Sequence, residues 1–144
     1  ATHEGINAVH AIAGLEVEEI DFVKLPRDPS SRPQVASIGL TSEQCAERGL
    51  KTRVGKMPMM ASGKAIINGD TSGFVKVIAD ADTDEVLGVH MIGAHVTELI
   101  AESSTAMLLE ATAWEIGSAV HPHPTLSETM GEAAMAVDGR SINF

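Results

Sequence analysis

Cysteine occurs once in the 144 residues, at Cys45, so the chain can form neither an internal disulfide nor a cysteine-rich zinc site, and it suits a reducing compartment. Aromatic side chains are almost as scarce. One Trp, three Phe and no Tyr make 3% of the sequence, so a core must be built from Val, Ile, Leu, Met and Ala. There is no Gly-x-Gly-x-x-Gly loop, no Walker loop and no redox cysteine pair, so dinucleotide and dithiol chemistry have no local machinery. No Lys/Arg run offsets a formal charge of −10 and a pI near 4.9, which argues against nucleic acid and suits a basic protein partner. No apolar stretch reaches membrane-spanning length. The start Ala1-Thr2-His3-Glu4-Gly5 lacks the basic and apolar runs of a signal peptide, and the expected location is the cytoplasm or a comparably reducing matrix.

What is present reads as one cored domain, 44% hydrophobic and 21% charged. Ile6, Val9, His10 and Ala13 recur at helical spacing ahead of Gly14 and predict a short amphipathic helix; Glu16 to Ser31, with Pro26 and Pro29, reads as a linker. A first strand is expected over Val35–Leu40, then a short helix over Thr41–Arg48 with Ser42 as a cap and Gly49 as the stop. Cys45 inside that helix reads as a small packing residue. Lys51 to Met60 predicts a second strand, edge or bulged because of Pro58, and Ser62-Gly63 and Asn68-Gly69-Asp70 are turn signals around a short apolar piece. Phe74–Ala79 and Val86–Ile92 flank a polar loop, as an antiparallel hairpin would. That loop has Asp-x-Asp-x-Asp spacing, but Glu85 and Met91 stand where a calcium loop needs Gly and Glu, so a solvated turn is expected. Val96 to Ala111 predicts the longest helix, with a polar stripe begun by Glu98, Glu102 and Thr105. Its C-terminal half is apolar nearly all round, which implies a subunit interface. Thr112 to Glu115 is a capping-box signature for a helix running toward Val120.

The chemistry concentrates in His121-Pro122-His123-Pro124-Thr125-Leu126-Ser127-Glu128. Each proline pushes the preceding histidine into extended backbone, which predicts that both rings point the same way. Thr125 followed by Glu128 predicts a capping box and a helix from Leu126 to Val137. Three readings of this elbow stand side by side. The histidines pack while Glu128 caps; or the two imidazoles bind zinc, for which no third or fourth ligand stands at a recognisable spacing; or His123 is a general base oriented by a carboxylate. The tail Asp138 to Phe144 carries no readable role.

His123 to Glu128 resembles the C-terminal signature of the dihydrolipoamide dehydrogenase family. Arg32–Thr41, Asn68–Val77, Leu87–Gly93 and Glu98–Ile100 are similar to successive blocks of that family's interface domain. Glutathione and trypanothione reductases share the domain but tend to carry a small residue where Leu126 stands and a second acidic residue beside the Glu. Leu126-Ser127-Glu128-Thr129 therefore favours lipoamide over a related disulfide reductase.

The resemblance implies an α+β fold, a mainly antiparallel sheet with helices packed on it. It implies that His123 deprotonates a dihydrolipoamide thiol and that Glu128 holds its other ring nitrogen. It further implies a homodimer in which His123 serves the partner subunit's site, FAD and NAD as cofactors of the full-length enzyme, and docking of the basic subunit-binding domain of the acyltransferase (E2) core. The family's flavin and nicotinamide domains are missing from these residues, so the chain is expected to bind neither cofactor and to be inactive alone. Residues 1–31 are expected to be a remnant helix of the preceding flavin domain plus linker, and residues 32–144 the dimerisation domain. Ser30 and Ser31 stand where the family often has an aromatic residue and Thr, and Pro122 replaces a commoner Ala. The location implied is a bacterial cytoplasm or a mitochondrial matrix. The rival expectation is a non-catalytic acidic module that docks a basic partner.

Overall fold

A computed structural model describes all residues, 1–144. Four strands, β1 (Gln34–Gly39), β2 (Thr52–Pro58), β3 (Phe74–Asp80) and β4 (Val86–Gly93), form one antiparallel sheet in the order β1-β4-β3-β2. The alternation in each strand decides which face is covered. Ala36, Ile38, Met57, Val75, Val77, Ala79, Val89 and Met91 turn to the same buried side. Two helices cover that side: α4 (Val96–Leu108) lies over β1 and β4, and α6 (Glu128–Ala136) over β2 and β3. Val96, Ile100 and Met107 of α4 and Met130, Ala133 and Ala134 of α6 complete an aliphatic core with no aromatic ring in it. The α+β expectation holds. α5 (Ala113–Ser118) packs on α6, and no helix is long and apolar enough to cross a membrane.

The opposite face is covered only at one end. α2 (Ser42–Glu47) brings Cys45 beside Leu40 and Ile78, and Val23 of a one-turn 3-10 helix at Phe22–Lys24 joins them. Burial raises the Cys45 thiol pKa above its ordinary value, as suits a packing residue. Arg27 exchanges two 2.8 Å backbone hydrogen bonds with Ser37 and so ties the linker to the outer edge of β1. α1 (Thr2–Ala13) stops at Gly14 in the left-handed conformation, as the sequence predicts, and buries none of its residues.

Several local expectations shift. Thr41, not Ser42, caps α2: its hydroxyl accepts from the Gln44 amide at 3.2 Å and the Gln44 side chain accepts from the Thr41 amide at 3.0 Å. Ser42 is already helical, and its hydroxyl accepts from Lys76 Nζ at 2.7 Å. The turn signals at Ser62 and Gly69 are the two caps of a short helix, α3 (Gly63–Asn68), because six residues are enough for one capped turn. β2 is an edge strand ending at Pro58. In the Asp-rich turn, Asp80 accepts from the amides of Asp82 and Thr83, both at 2.9 Å, so its carboxylate holds the turn. α4 ends at Leu108, three residues early, because Glu110 is left-handed and breaks the ladder. Leu108 and Leu109 remain 75% and 72% exposed, so the second apolar face of this helix is uncovered in the single chain.

Gly55 lets α6 settle on the sheet. A Cβ added there would run into the Ala133 carbonyl oxygen of the helix and come within 2.5 Å of the backbone nitrogen of Val137, its C-cap. Its φ is not positive, so space is the requirement. Gly55→Ala should lower unfolding stability by about 1–3 kcal/mol, whereas Gly63→Ala, which faces open space, should not lower it. Urea unfolding midpoints of the two variants check this.

Candidate functional site

α5 is opened by a reciprocal cap. Thr112 Oγ1 accepts from the Glu115 amide at 3.1 Å, and Glu115 Oε2 accepts from the Thr112 amide at 2.8 Å, as the Thr112/Glu115 spacing predicts. The helix ends at Ala119 in extended backbone and delivers the chain to the elbow, where the His123-Pro124 peptide is cis, as is Arg32-Pro33.

The two histidines diverge instead of pointing the same way. His121 turns inward, with its side chain 12% exposed and Nε2 at 2.8 Å from Glu102 Oε1 on α4. His123 turns outward, 80% exposed, with Nδ1 at 2.8 Å from Glu128 Oε1 on α6. Each ring follows its own carboxylate, and the two carboxylates come from different helices. The rings therefore do not share a face on which to bind one metal, and nowhere do three His, Cys, Asp or Glu side chains gather as a metal site would need.

Glu128 divides its two oxygens. Oε2 accepts from the Thr125 amide at 2.9 Å while Oε1 holds His123, so one carboxylate performs both duties that the sequence left open. Only half of the expected capping box forms. The Thr125 hydroxyl donates to the Pro122 carbonyl at 2.6 Å rather than accepting from the helix, and α6 begins at Glu128, two residues after Leu126. Leu126 is buried in the main core.

The Thr125 amide, and next the His123 ring, hold the Glu128 carboxyl below its ordinary value of 4.5, so it is ionised at neutral pH. An ionised carboxylate only accepts, so His123 donates to it from Nδ1, and Nε2 of the exposed ring makes no hydrogen bond within the chain.

Two features escaped the sequence reading. Glu102, seen only as part of a polar stripe, supports His121 from 19 residues upstream. Glu132, a buried carboxylate on α6, accepts from the Ile142 amide at 2.9 Å, from the Asn143 amide at 3.3 Å and from the Asn143 side chain, which pins the tail beside the elbow. A charged residue in the apolar register of α6 was the available signal.

Because the Glu128 pKa is lowered on folding, its stabilising contribution is complete above the ordinary value of 4.5 and is lost as pH falls through the lowered value. Glu128→Gln should therefore be less stable than wild type at neutral pH and lose that deficit in acid. Thermal unfolding of both forms between about pH 7 and about pH 2 checks the sign; a deficit constant over that window would break the linkage.

Residues 26–134 match the family described as pyridine nucleotide-disulphide oxidoreductase, dimerisation domain. The chain is 51% identical over 144 residues to the dihydrolipoyl dehydrogenase of Bacillus subtilis strain 168, covering 100% of this chain and 30% of that protein. It is 46% identical over 145 residues to the dihydrolipoyl dehydrogenase of Zymomonas mobilis, covering 100% and 31%. Against the mitochondrial dihydrolipoyl dehydrogenase of Caenorhabditis elegans it is 44% identical over 144 residues, covering 99% and 29%. In fold it is similar to LpdA from Mycobacterium tuberculosis, with a TM-score of 0.81 at 24% identity over 88% of this chain and 28% of that one. The HOCl-induced flavoprotein disulfide reductase RclA from Escherichia coli gives a TM-score of 0.82 at 23% identity over 90% and 30%. The chain thus spans about 30% of the length of the curated relatives it matches. With most of its length matched by that family's model, the chain belongs to the pyridine nucleotide-disulphide oxidoreductase dimerisation-domain family.

Proposed function

We propose that this chain is the interface domain of a dihydrolipoyl dehydrogenase, and that its His123–Glu128 pair is the general base that takes a proton from a dihydrolipoamide thiol. One observation carries the reading: an exposed imidazole whose Nδ1 is held by an ionised carboxylate and whose Nε2 has no hydrogen-bond partner within the chain. That geometry fixes the tautomer of the ring and the direction of Nε2. Residues 32–144 are the interface domain in this proposal, and residues 1–31 are the last helix of the flavin domain with its linker, which accounts for an α1 that buries nothing.

FAD and NAD do not fit this chain. Its sheet is wholly antiparallel, without the parallel strand and glycine-rich loop that cradle a dinucleotide, so both cofactors belong to the portions that the longer relatives carry. The chain's own contribution is a proton acceptor at His123 Nε2, and by itself it has no electron acceptor and no activity. In the full-length enzyme, His123→Gln should slow flavin reduction by dihydrolipoamide by about 100-fold or more while leaving flavin content unchanged. Glu128→Gln should cost less. Wild-type rates in both would end the base assignment.

The same proposal makes the domain a homodimer. Leu108, the last residue of α4, and Leu109, its C-cap, are uncovered, and burying a leucine side chain contributes about 1.5–3 kcal/mol. Leu109→Asp should convert a dimer into a monomer in sedimentation of the chain; a wild-type chain that sediments as a monomer at all concentrations would refute a self-sufficient interface. The net charge of −10 also favours docking of a basic domain such as the E2 subunit-binding domain, an attraction that salt would screen.

A further inference from the structure

The His123–Glu128 pair is local, spanning five residues of the elbow and its own helix. By itself it fixes the ring relative to α6 and does nothing to hold the elbow against the rest of the fold. A second imidazole–carboxylate pair lies next to it and has that reach. His121 Nε2 meets Glu102 Oε1 at 2.8 Å, 19 residues away on α4, the helix that lies over β1 and β4. The His121 ring is nearly buried, and its other edge rests on α6 at Gly131, where an added Cβ would come within 2.9 Å of Nδ1 and 3.0 Å of Cε1. Glycine inside a helix is unfavourable on backbone grounds, and here it makes room for the ring.

We infer that Glu102 and His121 are positioning residues for the base at His123, clamping the elbow between α4 and α6; the inference rests on the general-base reading above. The path from clamp to base is continuous. His121 is followed by Pro122, whose carbonyl accepts the Thr125 hydroxyl at 2.6 Å; the Thr125 amide donates to Glu128 Oε2 at 2.9 Å; and Glu128 Oε1 holds His123 Nδ1. Where α4 and α6 meet, Ser103 Oγ lies 3.7 Å from Met130 Sδ, so the two helices are already in register beneath the clamp. The clamp needs no charge on His121, since a neutral Nε2–H donates to the Glu102 carboxylate. Loosening it leaves the base chemically intact and misplaces it, and a misplacement of the order of 1 Å costs about 100-fold in rate.

The test is a double-mutant cycle in the full-length enzyme, read as kcat and KM for dihydrolipoamide. Glu102→Ala should lower kcat by about 10- to 100-fold with little change in KM, and should cost nothing further in a His123→Gln background, because both changes disable one unit. His121→Gln, which keeps a donor at the position of Nε2, should retain more activity than His121→Ala. Thr105→Ala, one turn along α4 with its hydroxyl bonded only to the Ala101 carbonyl, should leave kcat unchanged. Gly131→Ala adds a methyl under the ring while keeping both clamp partners, so it tests the same contact if Glu102→Ala does not fold. A Glu102→Ala loss that adds in full to that of His123→Gln, or no loss in either Glu102→Ala or Gly131→Ala, would overturn the clamp. Wild-type turnover in His123→Gln alone would instead overturn the base reading.

Discussion

The inner face of the four-stranded sheet has to be covered, and the rest of the structure follows from how it is done. Val, Ile, Met and Ala on alternate positions of all four strands present an apolar surface that two helices divide between them, α4 over β1 and β4 and α6 over β2 and β3. No aromatic ring fills the gap, so the helices must approach closely, and small residues allow it: Gly55 under α6 and Ala133 and Ala134 on α6 itself. In so tight a core a single added methyl is felt, because densely packed backbones have little room to move apart.

That division of labour places the elbow. The segment from His121 to Glu128 arrives from α5 and runs into α6 at the edge of the covered face, with a carboxylate available from each covering helix. Glu102 draws one imidazole inward and Glu128 holds the other at the surface. The asymmetry of burial, 12% against 80%, leaves His121 enclosed between the helices and His123 open to solvent. Glu132, also on α6, is a third carboxylate in the region and binds the tail, so three acidic groups have three different partners.

Much of the fold was legible because its signals are local. Gly14 and Gly69 end helices through left-handed backbone, and Thr112 with Glu115 opens one through a reciprocal cap. The β3–β4 hairpin declares itself by two apolar runs around a polar turn. The sequence misleads where neighbouring hydroxyls compete for one role or one hydroxyl has two possible partners. Thr41 caps α2 in place of Ser42, which accepts from Lys76 of β3, and the Thr125 hydroxyl bonds backward to Pro122 instead of capping α6. Nothing within a few residues distinguishes these outcomes.

The candidate site divides along the same line. The sequence by itself determined that His123 and Glu128 lie close together beside a helix start, because six residues constrained by proline and a capping pattern leave little freedom, and their resemblance to a family motif is the source of the chemistry proposed for them. Only the tertiary structure decided that His121 faces the opposite way, that Glu102 is its partner and that Gly131 is its seat. Those contacts depend on how α4 and α6 are laid across one sheet, and a helix's position on a sheet is set by packing of the whole face rather than by any residue near it in the chain.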